Sequence, residues 1–152
     1  MRLAIAADHA GVSLKQIVAE ACRAWGHDLT DLGGNDASVP DDYPDRALAL
    51  GRTVASGECE RGVLICGSGV GASVAANKIT GVRAGLCHDT YSAHQGVEHD
   101  NMNVLCLGSR VIGPALALEL VHAFVMANFS GEERHVRRLA KVQAIEATHG
   151  AE

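Results

Sequence analysis

Aromatic residues are scarce in this chain: two Phe, two Tyr and one Trp make up 3% of its 152 residues. Proteins that grip single-stranded nucleic acid stack bases on such rings, and duplex binders carry an excess of positive charge. The formal net charge here is -5, so nucleic acid is not an expected partner. Long apolar runs are missing too. The longest, residues 114–129, is broken by Glu119, His122 and Asn128, which argues against a membrane span. No C-x-x-C pair occurs among Cys22, Cys59, Cys66, Cys87 and Cys106, so neither a disulfide framework nor a cysteine zinc knuckle is expected. The eight histidines include no H-x-x-x-H or H-E-x-x-H spacing, and no metal is expected. The chain opens on a strand pattern rather than a leader peptide. These absences predict a reduced, cytoplasmic protein.

What is present alternates. Strand patterns at 3–7, 27–32, 63–66, 82–87 and 104–107 are separated by helix patterns at 12–25, 44–55, 72–78, 90–98 and 115–128. A final polar helix is expected over about 132–148. Unbroken apolar strands joined by helices indicate a parallel sheet covered on both faces. The expected fold is therefore α/β, a three-layer α/β/α sandwich: a single Rossmann-like domain over 1–152 with a five-stranded parallel sheet. The stretch 114–129 is apolar on nearly every face, through Leu116, Leu118, Leu120, Val121, Phe124, Val125, Met126 and Phe129. One of its sides is expected to pack against another subunit.

In such sheets a ligand sits outside the carboxyl ends of the strands. The residues expected there are Asp8-His9, Cys66-Gly67-Ser68, His88-Asp89 and Gly108-Ser109-Arg110. Cys66 ends a strand and is followed at once by Gly67-Ser68-Gly69-Val70-Gly71-Ala72. A glycine turn opening a helix aims backbone N–H groups at whatever binds beside the thiol, and such donors favour a thiolate, a phosphate or an enediolate. The same six residues satisfy G-x-G-x-x-G/A, and Asp89 lies near the end of the next strand. A dinucleotide-binding module is thus a rival reading. Against it, the motif falls on the third strand rather than the first. Elsewhere, His99 is read as a general acid or base. Arg134 and Arg138 are four apart and share a helix face, where they can clamp an anion, with Arg110 a further candidate.

Taken together, several pieces resemble the ribose-5-phosphate isomerase type B family, which also includes galactose-6-phosphate and allose-6-phosphate isomerases. They are Asp8-His9-Ala10-Gly11, Asp42-Tyr43-Pro44, Cys66-Gly67-Ser68-Gly69-Val70-Gly71, Ala75-Ala76-Asn77-Lys78, His99, Asn103-Val104-Leu105, Gly108-Ser109-Arg110 and the closing arginine pair. The resemblance implies an aldose–ketose isomerase without metal or cofactor, working through a cis-enediolate on a phosphorylated sugar, most simply ribose 5-phosphate. It implies that Cys66 is the base moving a proton between C2 and C1. Ser68 and the N–H groups of Gly67, Gly69 and Gly71 would stabilise the enediolate. His99, helped by Asp8, would open the furanose ring. His9, Arg110, Arg134 and Arg138 would hold the phosphate, and Tyr43 would line the sugar site. It also implies a homodimer or dimer of dimers with active sites at the interface.

Two positions depart from the family pattern. Ser68 stands where threonine is usual and keeps the hydroxyl. Asp100 stands where asparagine usually follows the histidine, and an ionised carboxylate only accepts hydrogen bonds. Asp100 would then contact sugar hydroxyls as an acceptor, or Asn101 would take over as donor. Allose 6-phosphate, galactose 6-phosphate and erythrulose 4-phosphate are the alternative substrates.

Overall fold

Each apolar run becomes a strand of one sheet in the computed structural model, which describes residues 1–149. The last three residues of the domain expected over 1–152 lie outside these. The strands are β1 (Arg2–Ala7), β2 (Asp28–Asp31), β3 (Arg61–Cys66), β4 (Ala84–Leu86) and β5 (Val104–Gly108). They pair in parallel in the order β2-β1-β3-β5-β4. The helices are α1 (Val12–Ala24), α2 (Tyr43–Ala55), α3 (Val70–Ala76), α4 (Thr90–Asp100), α5 (Pro114–Met126) and α6 (Glu133–His149), and a single 3-10 turn, His9–Gly11, precedes α1. No helix among the described residues is long and apolar enough to cross a membrane.

Alternation along the strands divides the core. Leu3, Ile5, Val63, Ile65, Leu105 and Leu107 pack with Leu14, Val18, Leu120 and Phe124 from α1 and α5. On the opposite face Ala4, Ala6, Leu64, Cys66 and Cys106 pack with Ala47, Leu50, Val54, Ala72 and Ala76 from α2 and α3. This gives the three layers that period-two patterning requires. All five cysteines are free and buried.

The structure corrects some sequence-based boundaries. The expected strand 82–87 shrinks to β4, because the Arg83 N–H goes to the Asn103 side chain (2.8 Å) instead of a ladder. Helix α3 starts two residues earlier than expected, directly after Gly69, whose φ of 82° is the left-handed turn that launches it. It ends earlier because Asn77 turns its amide to β4, donating to the Ala84 carbonyl and accepting the Ala84 N–H, both at 2.9 Å. The apolar stretch 114–129 is partly buried within the chain. Of its large side chains Leu120, Val121, Phe124 and Val125 are buried in the core, Leu116, Leu118 and Phe129 are half-buried, and only Met126 is exposed.

Candidate active site

Strand order reverses at β1 and β3: from β1 the chain moves outward to β2, then returns to β3 on β1's other side. A switch point of this kind opens a crevice at the carboxyl ends of the two strands. Asp8 leaves β1 there and Cys66 ends β3 there. The two strand ends are tied together, with the Asp8 N–H donating to the Ile65 carbonyl at 3.1 Å.

Cys66 is 5% exposed and lies under the glycine turn. The Gly69 N–H donates to its sulfur at 3.1 Å. The segment after β5 closes over the same backbone, Ser109 N–H donating to the Cys66 carbonyl and Arg110 N–H to the Gly67 carbonyl, both at 2.9 Å. The Ser109 hydroxyl lies within reach of two carbonyls, those of Ala10 (2.8 Å) and Cys66 (3.1 Å). The thiol is therefore fixed by β1, the turn and β5 together. The Ser68 hydroxyl accepts the Val70 N–H at 3.3 Å. Tyr43, at the start of α2, lies flat against Gly71, where any added Cβ would come within 2.7 Å of its ring. Only glycine lets the ring sit beside the thiol turn.

Asp8 is buried and caps the 3-10 turn, with Oδ1 accepting N–H groups from Ala10 (3.0 Å) and Gly11 (3.2 Å). His9 follows, held by Asp41. One carboxylate oxygen of Asp41 accepts the His9 N–H (2.6 Å) and faces its Nδ1 (3.2 Å), while the other accepts Arg46 Nε–H (2.8 Å). Burial pushes the Asp41 carboxyl up, but the hydrogen bonds from Arg46 and His9 outweigh it and hold it below the usual carboxylate range. The segment leading to Asp41 is anchored by Lys15, whose buried ammonium meets Asp31, the Gly33 carbonyl and Asn35. Sequence reasoning missed Asp41, although it stands one residue before the Asp42-Tyr43-Pro44 motif. It missed Ser109 as a clamp as well.

Asp8, His9, Tyr43, Cys66 to Gly71 and Arg110 are thus gathered at one sheet edge. His99, Asp100, Asn101, Arg134 and Arg138 are not. Helix α4 begins beyond β4 at that same edge and runs back along the sheet, so His99 lies roughly 14 Å of helix away from its start. It stacks on His135 of α6, ring centroids 4.0 Å apart. Arg134 and Arg138 flank His135 in sequence on α6. Arg134 pairs with Glu132 at 2.9 Å, and Arg138 has no carboxylate partner among the described residues. Asn101 ends α4 with φ 51°, and Asp100 is exposed beside it. A cavity of about 1020 Å³ lies on this side, between α4, α6 and the β4 edge, with Gln95, Asp100, Arg138 and Glu146 in its wall. It does not reach Cys66.

The dinucleotide reading fails on geometry. The acid it requires, Asp89, follows β4, which β5 separates from β3. Its carboxylate is already used, accepting the Ser92 N–H at 2.7 Å to cap α4.

The family model described as Ribose/Galactose Isomerase matches residues 3–142. The chain is 41% identical to ribose-5-phosphate isomerase B of Escherichia coli (strain K12), over 95% of this chain and 96% of that one. It is 40% identical to D-erythrulose-4-phosphate isomerase of Pectobacterium atrosepticum, over 86% of each. Its fold matches ribose-5-phosphate isomerase B of Clostridium thermocellum with a TM-score of 0.95 and 41% identity, covering 98% of this chain and 99% of the other. Since the thiol-bearing switch point and these near-full-length matches agree, the chain belongs to the ribose/galactose isomerase family and is a sugar-phosphate aldose–ketose isomerase.

Proposed function

We propose that this enzyme interconverts ribose 5-phosphate and ribulose 5-phosphate through a cis-enediolate, with Cys66 as the carbon base. The observation that carries the reading is the Cys66 sulfur at the β1/β3 crevice with the Gly69 N–H directed at it. A thiolate there takes the C2 proton of the open-chain aldose and returns it to C1. O1 gains a proton as O2 loses one, so the aldehyde becomes a hydroxymethyl group and the C2 alcohol a ketone. The turn from Gly67 to Gly71, with the Ser68 hydroxyl, supplies donors for the enediolate oxygens, an arrangement worth a few kcal/mol of barrier per donor. Asp8, with Oδ1 occupied by capping, keeps Oδ2 without a partner among the described residues and takes part with His99 in opening the furanose ring. His9 and Arg110 bind phosphate from the Cys66 side, and Tyr43 lines the sugar.

His99, Arg134 and Arg138 belong to the site through a second copy of the chain. Within one chain the length of α4 separates them from Cys66, so a complete site needs a homodimer or a dimer of dimers. The exposed apolar residues support this. Val70 and Val74 on α3 stand beside the thiol turn, and Val136, Val142 and Ile145 on α6 are uncovered. Helix α6 packs against α4 and is read as the element that crosses to the partner. The buried, unpaired cysteines support a cytoplasmic setting.

Asp100 favours a second reading, a related sugar phosphate of four to six carbons, because a carboxylate suits hydroxyl donors but not the acceptor oxygens an asparagine would also serve. The test is one panel of kcat/KM values for ribose 5-phosphate, allose 6-phosphate, galactose 6-phosphate and erythrulose 4-phosphate. The highest value is expected for ribose 5-phosphate. A preference of about tenfold or more for another sugar would replace the substrate assignment.

A further inference from the structure

On the reading proposed above, His99 acts on the sugar ring, and its surroundings decide what it has to offer. The Gln95 side-chain nitrogen lies 2.7 Å from His99 Nδ1, one turn back on α4. An amide N–H donates and cannot accept, so Nδ1 holds the lone pair and the ring proton sits on Nε2. The Glu98 carboxylate lies on the Nε2 side of the ring, with Oε2 3.8 Å away. The third neighbour is His135, stacked on His99 with the ring planes at 26°.

His135 is itself held in place. It is 1% exposed, and the Ser130 hydroxyl lies 2.6 Å from its Nδ1. That hydroxyl oxygen also accepts the Glu132 N–H at 3.2 Å. His135 Nε2 has no hydrogen-bond partner among the described residues. What this buried imidazole presents to His99 is its flat face. Burial, with His99, Arg134 and Arg138 nearby, holds His135 below the ordinary histidine range in spite of the Glu132 carboxylate. The face it turns to His99 is therefore uncharged near neutrality.

We propose that Gln95 and His135 are positioning residues that hold His99 as its Nε2–H tautomer, so that His99 presents Nε2–H to the sugar as a hydrogen-bond donor. The groups facing this pair are Gln95 and Glu98 from α4, Ser130 and Glu132 from the segment before α6, and Arg134 and Arg138 from α6. A donor fixed on Nε2 suits the furanose ring oxygen, which gains electron density as its bond to C1 breaks. The orientation is set before substrate arrives, because Nδ1 and one ring face are already occupied.

Nitrogen-15 NMR of the histidine rings in the full-length protein reads the tautomer without any assay. The wild type is expected to show His99 protonated on Nε2 and not on Nδ1. Gln95→Glu places an acceptor against Nδ1 and is expected to reverse this. The same variant should lower kcat on ribose 5-phosphate about tenfold with KM within about twofold. His135→Phe keeps a flat face and is expected to keep kcat, whereas His135→Ala loses it. Should the alanine variant fail to fold, Gln95→Glu and His135→Phe still decide. A wild-type His99 protonated on Nδ1, or a tautomer unmoved by Gln95→Glu, would overturn the proposal. Absence of wild-type activity on pentose phosphates would instead strike the substrate assignment, and the NMR result would stand by itself.

Discussion

The backbone N–H of Gly69 points at the Cys66 sulfur across 3.1 Å. Gly69 can do so because its φ of 82° turns the chain back over the strand end, and a side chain there would meet Leu86 at 2.5 Å. One backbone conformation thus launches α3 and supplies the sulfur with a donor that favours negative charge.

Cys66→Ser retains size and a hydrogen-bonding atom but loses the acidity of a thiol. It is expected to lower kcat about a thousand-fold while far-UV circular dichroism stays unchanged. Near-wild-type turnover in a ribulose-forming assay would remove Cys66 as the base.

Mixing two inactive variants tests whether the site spans two chains. Cys66→Ala and His99→Asn are each expected to be inactive alone. After unfolding and refolding together, half the dimers are mixed and one of their two sites is intact, so about a quarter of wild-type activity should return. No recovery, with mixed dimers shown by mass spectrometry, would place both residues in one chain's site.

Asp41 is predicted to hold His9 for phosphate. Asp41→Asn removes the charge that His9 and Arg46 share, and KM for the sugar phosphate should rise roughly five- to tenfold with kcat within about twofold. An equal fall in kcat would show that Asp41 acts on the chemical step.

His135 gives a pH dependence of stability with a definite sign. Its imidazole lies below the ordinary 6.5 in the folded protein through burial and neighbouring cations. As pH falls below about 6.5 the unfolded chain takes up a proton that the folded chain refuses, so stability declines until the lowered folded value is reached. His27, lowered by burial and the N-terminal amine, adds to the same slope. Between about pH 7.5 and pH 5.5 the drop in Tm should be smaller in His135→Phe than in wild type. An identical drop would mean that His135 protonates freely in the fold.

The alternation of Leu3-Ala4-Ile5-Ala6-Ala7 with later apolar runs was enough to read a parallel sheet, and Cys66 before a glycine turn was enough to mark its edge. Such signals are local, since period and punctuation are written in neighbouring residues. Asp41 was invisible because its partners, His9 and Arg46, come together only when β1 and α2 pack. The apolar stretch 114–129 was ambiguous for a related reason. A helix packed against a sheet and two other helices buries several faces, so apolarity all round does not require a second subunit.

Sequence alone therefore determined the α/β class, the thiol at a strand end and the family pattern of residues, because each depends on spacing along the chain. Tertiary structure decided which of those residues can meet. Strand order put Asp8 beside Cys66 and β5 between β3 and β4, which removed Asp89 from the glycine turn. The run of α4 carried His99 to the far side of the sheet. Distance through space depends on how the elements are layered, and layering is settled by burial among residues far apart in the chain.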